Sequence, residues 1–181
     1  MKLQKISSKN DLSKIGNCDF FLIDTLCNEK ETRRILDSLK QKNLLKNKFV
    51  AVVGGDNQFN RRVLETMKID FLVSPEREIP EKNIFKKDNL KQRDSGLNHV
   101  IAKIAKEKNV SIIIDFDEIK NVKDKKQKAL RISRIIQNIK ICRRAKCKIK
   151  IIDFSDNVGE KELGAFGFSL GMSSQQVKES I

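Results

Sequence analysis

The chain has 181 residues, 39% of them hydrophobic and 34% charged, which is enough for a single globular domain over 1–181 with its own core. Its 38 Lys and Arg residues outnumber 24 Asp and Glu residues, so the formal net charge is +14. A domain with this charge repels itself unless polyanions screen it, and the abundant polyanions are nucleic acids and anionic membrane surfaces.

The sequence argues against the membrane alternative. No apolar run approaches the roughly 18 to 20 residues that span a bilayer. The N-terminal stretch MKLQKISSKNDLSK lacks the apolar region of a secretory signal. Trp and Tyr, the usual interfacial anchors, are both absent. We therefore expect a cytoplasmic protein that does not associate with membranes.

Short apolar runs alternate with helical patterns along the chain, which predicts one α/β domain with a mostly parallel sheet. The predicted strands are 18–24, 49–53, 69–74, 110–116 and 148–154, with a sixth candidate at residues 3–6. The predicted helices are 29–46, one that contains Val63, Leu64 and Met67, 94–108, 124–146, and a helical C-terminus from about residue 160. The pattern alone does not separate an open doubly wound sheet from a barrel, which needs eight strands.

Two connections between these elements invite a functional interpretation. Residues 75–93 form the longest irregular stretch and contain both prolines, and loops of that length are usually functional or disordered. Gly54-Gly55-Asp56-Asn57 follows a strand and could hold a phosphate at the next helix N-terminus. It matches neither GxGxxG nor a P-loop, so we favour a plain strand-to-helix turn.

The predicted helix 94–108 contains the single histidine, His99. Asp94 or Ser95 is a suitable N-cap. An apolar stripe at helical spacing is expected to face the core, and His99 falls on the opposite face beside Lys103. A metal or catalytic role for His99 is therefore not expected. The stripe consists of Leu97, Val100, Ile101 and Ile104.

The long helix 124–146 divides in the same way. Isoleucines from Ile132 to Ile139 line one side together with Cys142, while Arg131, Arg134 and Asn138 are expected to point away from the core. Arg143 and Arg144 near its C-terminus suit the helix dipole and also form part of a basic cluster with Lys140, Lys146 and Lys148. Clustered basic residues favour a nucleic-acid interface over a plain solvated face.

Candidate chemistry is sparse. The four cysteines, Cys18, Cys27, Cys142 and Cys147, contain no CxxC pair, so neither a zinc site nor a disulfide framework is expected, and Cys18 and Cys142 are expected in the core. One alternative stays open. Asp24, Asp115 and Asp153 lie at the matching ends of three strands, where carboxylates could hold Mg²⁺ in a phosphoesterase.

Four blocks of the chain resemble the ribonuclease P protein component 3 family of archaea and eukaryotes. They are FLVSPE, RDSGLNHVIAKIAKEKNVSIIIDF, ISRIIQNIKICRRAKCKIKII and ELGAFGFSLGMSSQQVKESI, in the order and spacing of the family over about residues 69–181. The resemblance implies a TIM-barrel-like α/β fold, complete or incomplete, and a ribonucleoprotein that removes the 5′ leader from precursor tRNA. It further implies that the RNA subunit carries the chemistry with Mg²⁺, and that the protein binds no cofactor.

The partners that the resemblance implies are ribonuclease P RNA and ribonuclease P protein component 2, with precursor tRNA contacted indirectly. Lys and Arg side chains would replace counterions along the RNA backbone. A basic interaction scaffold without RNA affinity is the remaining alternative. The residues predicted to contact RNA are Lys91, Arg93, Lys103, Arg131, Arg134, Lys140, Arg143, Arg144 and Lys161.

Overall fold

Six parallel strands form one sheet in the computed structural model, which describes residues 2–13, 15–89 and 92–180. Strands that follow one another along the chain are also neighbours in the sheet. This sequential order is that of a β/α barrel, whereas the order reverses within a doubly wound sheet. The strands are β1 (Leu3–Ile6), β2 (Phe20–Ile23), β3 (Phe49–Val53), β4 (Phe71–Val73), β5 (Ser111–Asp115) and β6 (Ile149–Ile152).

The TIM-barrel-like prediction is confirmed, in the form of an open sheet. Within the described residues no pairing joins β6 back to β1, so the barrel is incomplete. The sheet nevertheless curves, because the ring of Phe154, directly after β6, lies 5.7 Å from the ring of Phe20 on β2. Phe20 also stacks on Phe71 of β4 at 5.4 Å, so these rings fill the concave side of the sheet.

Helices cover the convex side of the sheet and bury the main core against it. The predicted core positions Cys18 and Cys142 are confirmed as buried. Side chains of Asn28, Asp56, Asn98, Asp115 and Asp124 accept backbone N–H groups at five of the helix starts. The helices are α1 (Glu29–Gln41), α2 (Asn57–Thr66), α3 (His99–Glu107), α4 (Phe116–Lys120), α5 (Lys125–Ala145), α6 (Glu160–Ser169) and α7 (Ser174–Ser180).

Helix α3 begins later than the sequence predicts, because Asn98 caps it instead of Asp94 or Ser95. Gly96 adopts a φ of +72°, and its carbonyl accepts a hydrogen bond from the Asn60 amide at 2.9 Å, so the chain before Asn98 is a fixed turn. Val100 is 40% exposed, which makes its predicted place in the buried stripe wrong. Ala102 and Ala105 are buried instead, whereas His99 is exposed as expected.

The glycine turn after β3 is confirmed as a strand-to-helix connection. The Asp56 carboxylate accepts the Phe59 N–H at 2.7 Å and thereby occupies the N-terminus of α2. A Cβ on Gly55 would lie 2.0 Å from the Cys27 sulfur, so only glycine permits this close approach. The turn is packed against neighbouring residues and gives no sign of a phosphate cradle.

Candidate functional site

The irregular segment 75–93 lies across the carboxyl edge of the sheet, where ion pairs hold it. Arg77 bridges two elements there. Its Nη2 lies 2.8 Å from the Asp24 carboxylate after β2, and its Nη1 lies 3.4 Å from the Glu118 carboxylate on α4. Lys5 of β1 approaches Asp24 to 3.3 Å from the other side. The segment therefore fastens the start of the sheet to β5 and α4.

Two arginines of α5 complete this network. Arg131 Nε lies 3.1 Å from the Glu76 carboxylate, and its Nη2 donates to both Glu118 and Ser74. Arg134 pairs with Glu78 and Asp88, each at 2.8 Å. Glu76, Arg77 and Glu78 are consecutive residues, and each one binds a different side chain across the edge. We call the set Asp24, Glu76, Arg77, Glu78, Asp88, Glu118, Arg131 and Arg134 the ion-pair cluster.

The prediction that Arg131, Arg134 and Asn138 point away from the core is wrong. Their exposed fractions are 8%, 4% and 1%. At about 100° per residue, Arg131 and Asn138 lie within about 60° of Ile135, so they share the buried face of α5. The two arginines contact the segment 75–93. Three of its carboxylates accept the two guanidinium groups. A signal for this arrangement was the placement of Glu76 and Glu78 two residues apart, shortly after the strand β4.

Within the ion-pair cluster, burial raises the pKa of each carboxyl group, whereas the neighbouring arginines lower it. Burial alone would raise the pKa of Asp24, but the charge and hydrogen bonds of Arg77, with help from Lys5, bring the pKa below its usual value. The pKa of Glu118 is lowered in the same way, because Arg131 outweighs the effect of burial. For Glu76 burial prevails over Arg131 and raises the pKa. Its Oε2 has no hydrogen-bond partner among the described residues.

A cavity of about 440 Å³ opens beside the ion-pair cluster at the carboxyl edge, lined in part by Asp24, Arg77 and Asp115. Burial, reinforced by the nearby charge of Glu118, raises the pKa of Asp115 to about 6 despite a backbone hydrogen bond. Asp115 also caps α4 by accepting the Glu118 N–H at 3.1 Å.

The arrangement gives little support to the Mg²⁺ alternative. Asp24 is engaged with Arg77 and Lys5. Asp153 accepts hydrogen bonds from its own loop, from Ser155, Asn157 and Val158. Among residues 2–13, 15–89 and 92–180, no group of three or more His, Cys, Asp or Glu side chains is placed to hold a metal ion.

Five of the other residues predicted to contact RNA lie on helices of the convex side. Lys103 is exposed on α3 and Lys161 on α6, while Lys140, Arg143 and Arg144 are exposed on α5. Arg143 is anchored by hydrogen bonds to Gln176 and to the Gly171 carbonyl. Arg93 is half-buried. Lys91 falls outside the described residues. RNA contact by these residues stays a prediction.

Comparison with known proteins gives three kinds of result. No protein-family model matches the chain. Ribonuclease P protein component 3 of Methanococcoides burtonii is 37% identical over 70 residues, which are 39% of this chain and 23% of that protein. The component 3 protein of Methanococcus maripaludis strain C5 is 27% identical over 103 residues, 57% of this chain and 39% of that protein. The matched region thus spans well under half of these curated relatives.

Solved structures agree on the fold. A chain in the cryo-EM structure of archaeal ribonuclease P with mature tRNA matches 98% of this chain and 85% of its own length, with a TM-score of 0.58 and 20% identity. An amidohydrolase crystal structure matches 94% of this chain and 47% of its own length, with a TM-score of 0.51 and 11% identity. Within the described part of the chain, no helix combines the length and apolar character needed to cross a bilayer. Over the matched residues the sequence is similar to ribonuclease P protein component 3 proteins, as its sequence blocks predicted, and the fold is similar to that of a chain in archaeal ribonuclease P.

Proposed function

We propose that the chain is a protein subunit of ribonuclease P, the ribonucleoprotein that removes the 5′ leader from precursor tRNA. In this role it binds the catalytic RNA through its basic surface and acts together with protein component 2. The relationship to component 3 proteins and the fold shared with a chain of archaeal ribonuclease P support this proposal.

The observation that carries the proposal is the distribution of charge. The carboxyl edge of the sheet is where α/β barrels place catalytic groups. Here that edge is occupied by arginine–carboxylate pairs. The excess positive charge of the chain is left on exposed helices and connections, which suits a protein that binds a polyanion.

The same arrangement supports a proposed division of labour between the protein and the RNA. The protein supplies binding and support, while the RNA subunit supplies the reaction and uses Mg²⁺, so the protein itself needs no cofactor. Exposed lysine and arginine side chains recognise folded RNA by its shape and its phosphates. The complex acts in the cytoplasm on precursor tRNA, which this subunit contacts only indirectly.

Recovery of the tagged chain from its native extract, followed by sequencing of the bound RNA, tests the proposal. We expect enrichment of ribonuclease P RNA together with a small protein of the component 2 type. Recovery of protein partners with no RNA at physiological salt would favour the scaffold alternative and contradict the proposal.

A further inference from the structure

The connections between helices and strands are strongly polarised in charge. Four connections lead from a helix to a strand, at 42–48, 67–70, 108–110 and 146–148, and together they contain seven lysines and one carboxylate, Asp70. All six strands are parallel, so these connections lie side by side at the amino ends of the strands. We call this edge of the sheet the amino rim.

The opposite edge has the reverse character. The strand-to-helix connections 24–28, 54–56 and 153–159 contain four aspartates and neither Lys nor Arg. The longer connection 74–98 contains both signs of charge, and Glu76, Arg77, Glu78 and Asp88 within it take part in the ion-pair cluster. The short connections thus carry an excess of lysine at the amino rim and an excess of aspartate at the carboxyl edge.

Helix dipoles explain only part of this polarity. A cation near a helix C-terminus gains roughly 0.3 to 1 kcal/mol, which accounts for a lysine after each helix. The dipole does not require that carboxylates be absent from the rim. Two carboxylates do lie there, and both accept backbone N–H groups: Asp70 Oδ2 accepts the Val50 N–H at 2.8 Å, and Asp19 Oδ2, just before β2, accepts the Lys2 N–H at 3.1 Å.

The amino rim also contains a groove of about 810 Å³, whose charged lining consists of Asp70 and four lysines, Lys40, Lys46, Lys48 and Lys68. Its wall is shaped by Asn43 and Asn47, whose positive φ angles of 52° and 56° turn the chain between α1 and β3 sharply. Lys48 is held in place, with its ammonium 5.3 Å from the centre of the Phe21 ring. Within the described residues, neither Lys46 nor Lys68 has a carboxylate partner within 4 Å.

We propose that the amino rim binds the phosphate backbone of an RNA strand, with phosphate groups seated in the lysine-lined groove. This inference rests on the proposed function and adds the place where the RNA binds. Lysine binds phosphate as a point charge, without the planar fork that arginine offers. The four connections lead into neighbouring strands, which lie about 4.8 Å apart in a sheet. Their lysines therefore form an extended row of cations along the rim.

RNA fits the rim better than a protein surface does. Lysine is depleted from protein–protein interfaces, which favour aromatic residues, Met and Arg. The apolar side chains of three rim connections, among them Met67, Ile69, Val110 and Cys147, are buried in the core. The side chains left outside at these connections are mainly lysine and asparagine.

Two triple variants with equal changes of charge test the proposal. The rim variant carries Lys46→Gln, Lys68→Gln and Lys108→Gln, and the control carries Lys82→Gln, Lys123→Gln and Lys126→Gln. All six lysines are exposed. The affinity of each protein for transcribed ribonuclease P RNA is measured from 50 to 400 mM salt, and circular dichroism verifies the fold. We expect the slope of log K against log salt to become shallower by about 2 in the rim variant only.

Three other results would contradict either the rim proposal or the proposed function on which it rests. Equal losses of slope in both variants would show that the RNA responds to overall charge and would overturn the rim proposal. Wild-type RNA binding by the rim variant, with weakened binding of component 2, would assign the rim to a protein partner and overturn it as well. A wild-type chain that fails to bind the RNA would contradict the proposed function itself.

Discussion

Arg131 and Glu76 form a buried ion pair in which Nε donates to Oε1 at 3.1 Å, with side chains 10% and 1% exposed. The pair joins the middle of α5 to the segment that follows β4. A buried charge that loses its partner is expensive, so the two residues fix the position of this segment across the carboxyl edge.

Replacement of Arg131 by methionine should therefore destabilise the fold strongly. Arg131→Met leaves Glu76 without its cation and Glu118 with Arg77 alone, and we expect a loss of about 3 to 5 kcal/mol in the free energy of unfolding. Lys140→Met on the exposed face of the same helix should change it by less than about 0.5 kcal/mol. Urea denaturation measures both values, and equal costs would contradict a structural role for the cluster.

The Mg²⁺-dependent phosphoesterase alternative and the present account differ in what they predict for phosphodiester hydrolysis and for the variant Asp24→Asn. Because Asp24 is engaged with Arg77, we expect the purified chain with Mg²⁺ or Mn²⁺ to leave bis(p-nitrophenyl) phosphate intact. Asp24→Asn should lower stability, since Arg77 loses its closest carboxylate partner. Turnover by the wild-type chain that disappears in Asp24→Asn would restore the phosphoesterase hypothesis.

The raised pKa of Asp115 predicts a specific dependence of stability on pH. With a pKa of about 6 in the folded chain and about 4 when unfolded, the folded state binds more protons between these values. The stability that Asp115 contributes to the folded state is therefore fully present below about pH 4 and is lost as the pH rises through about 6. Asp115→Asn keeps an oxygen that can cap α4, and should flatten this part of the profile.

At pH 7 we expect Asp115→Asn to exceed the wild type in stability by about 1 to 2 kcal/mol, after allowance for solvent screening of a half-buried carboxyl. Thermal unfolding across pH 4 to 8 measures the difference. A variant that is less stable than the wild type by the same margin at pH 4 and pH 7 would show that the carboxyl is needed for its hydrogen bond alone.

Exposed cations on the helices give a fourth prediction. Charge reversal of Lys103, Lys140 and Arg144 together should weaken RNA binding and reduce its salt dependence, because fewer counterions are released. The melting temperature should stay within error, since all three side chains are exposed. Wild-type salt dependence in this variant would remove the outer helical face from the RNA-binding surface.

Periodicity and composition predicted much of the fold. The continuous apolar run 49–53 coincides with β3, and the sixth strand candidate near residues 3–6 is β1. The alternation of strands and helices did not predict the strand order, since open doubly wound sheets and barrels share that alternation. The observed order β1 to β6, in which neighbours in sequence are neighbours in space, identifies the barrel-like form.

The candidate site was harder to predict, and the reason is physical. Helical spacing tells which residues share a face of α5, but not that carboxylates 46 to 56 positions earlier pair with its arginines. Arg131 and Arg134 therefore resembled surface cations until the positions of Glu76 and Glu78 were known. Lys146 and Lys148 were predicted as part of a basic cluster, whereas the other rim lysines were missed because they lie in separate short connections that only the parallel sheet brings together.

The most direct test of the account is reconstituted cleavage of precursor tRNA. Ribonuclease P RNA and protein component 2 are assayed with and without this chain over a range of Mg²⁺ concentrations, and the chain is assayed alone. We predict that adding the chain increases removal of the 5′ leader or lowers the Mg²⁺ required, and that the chain alone cleaves nothing. Cleavage by the chain without RNA, or an RNA reaction that ignores the chain, would contradict the account.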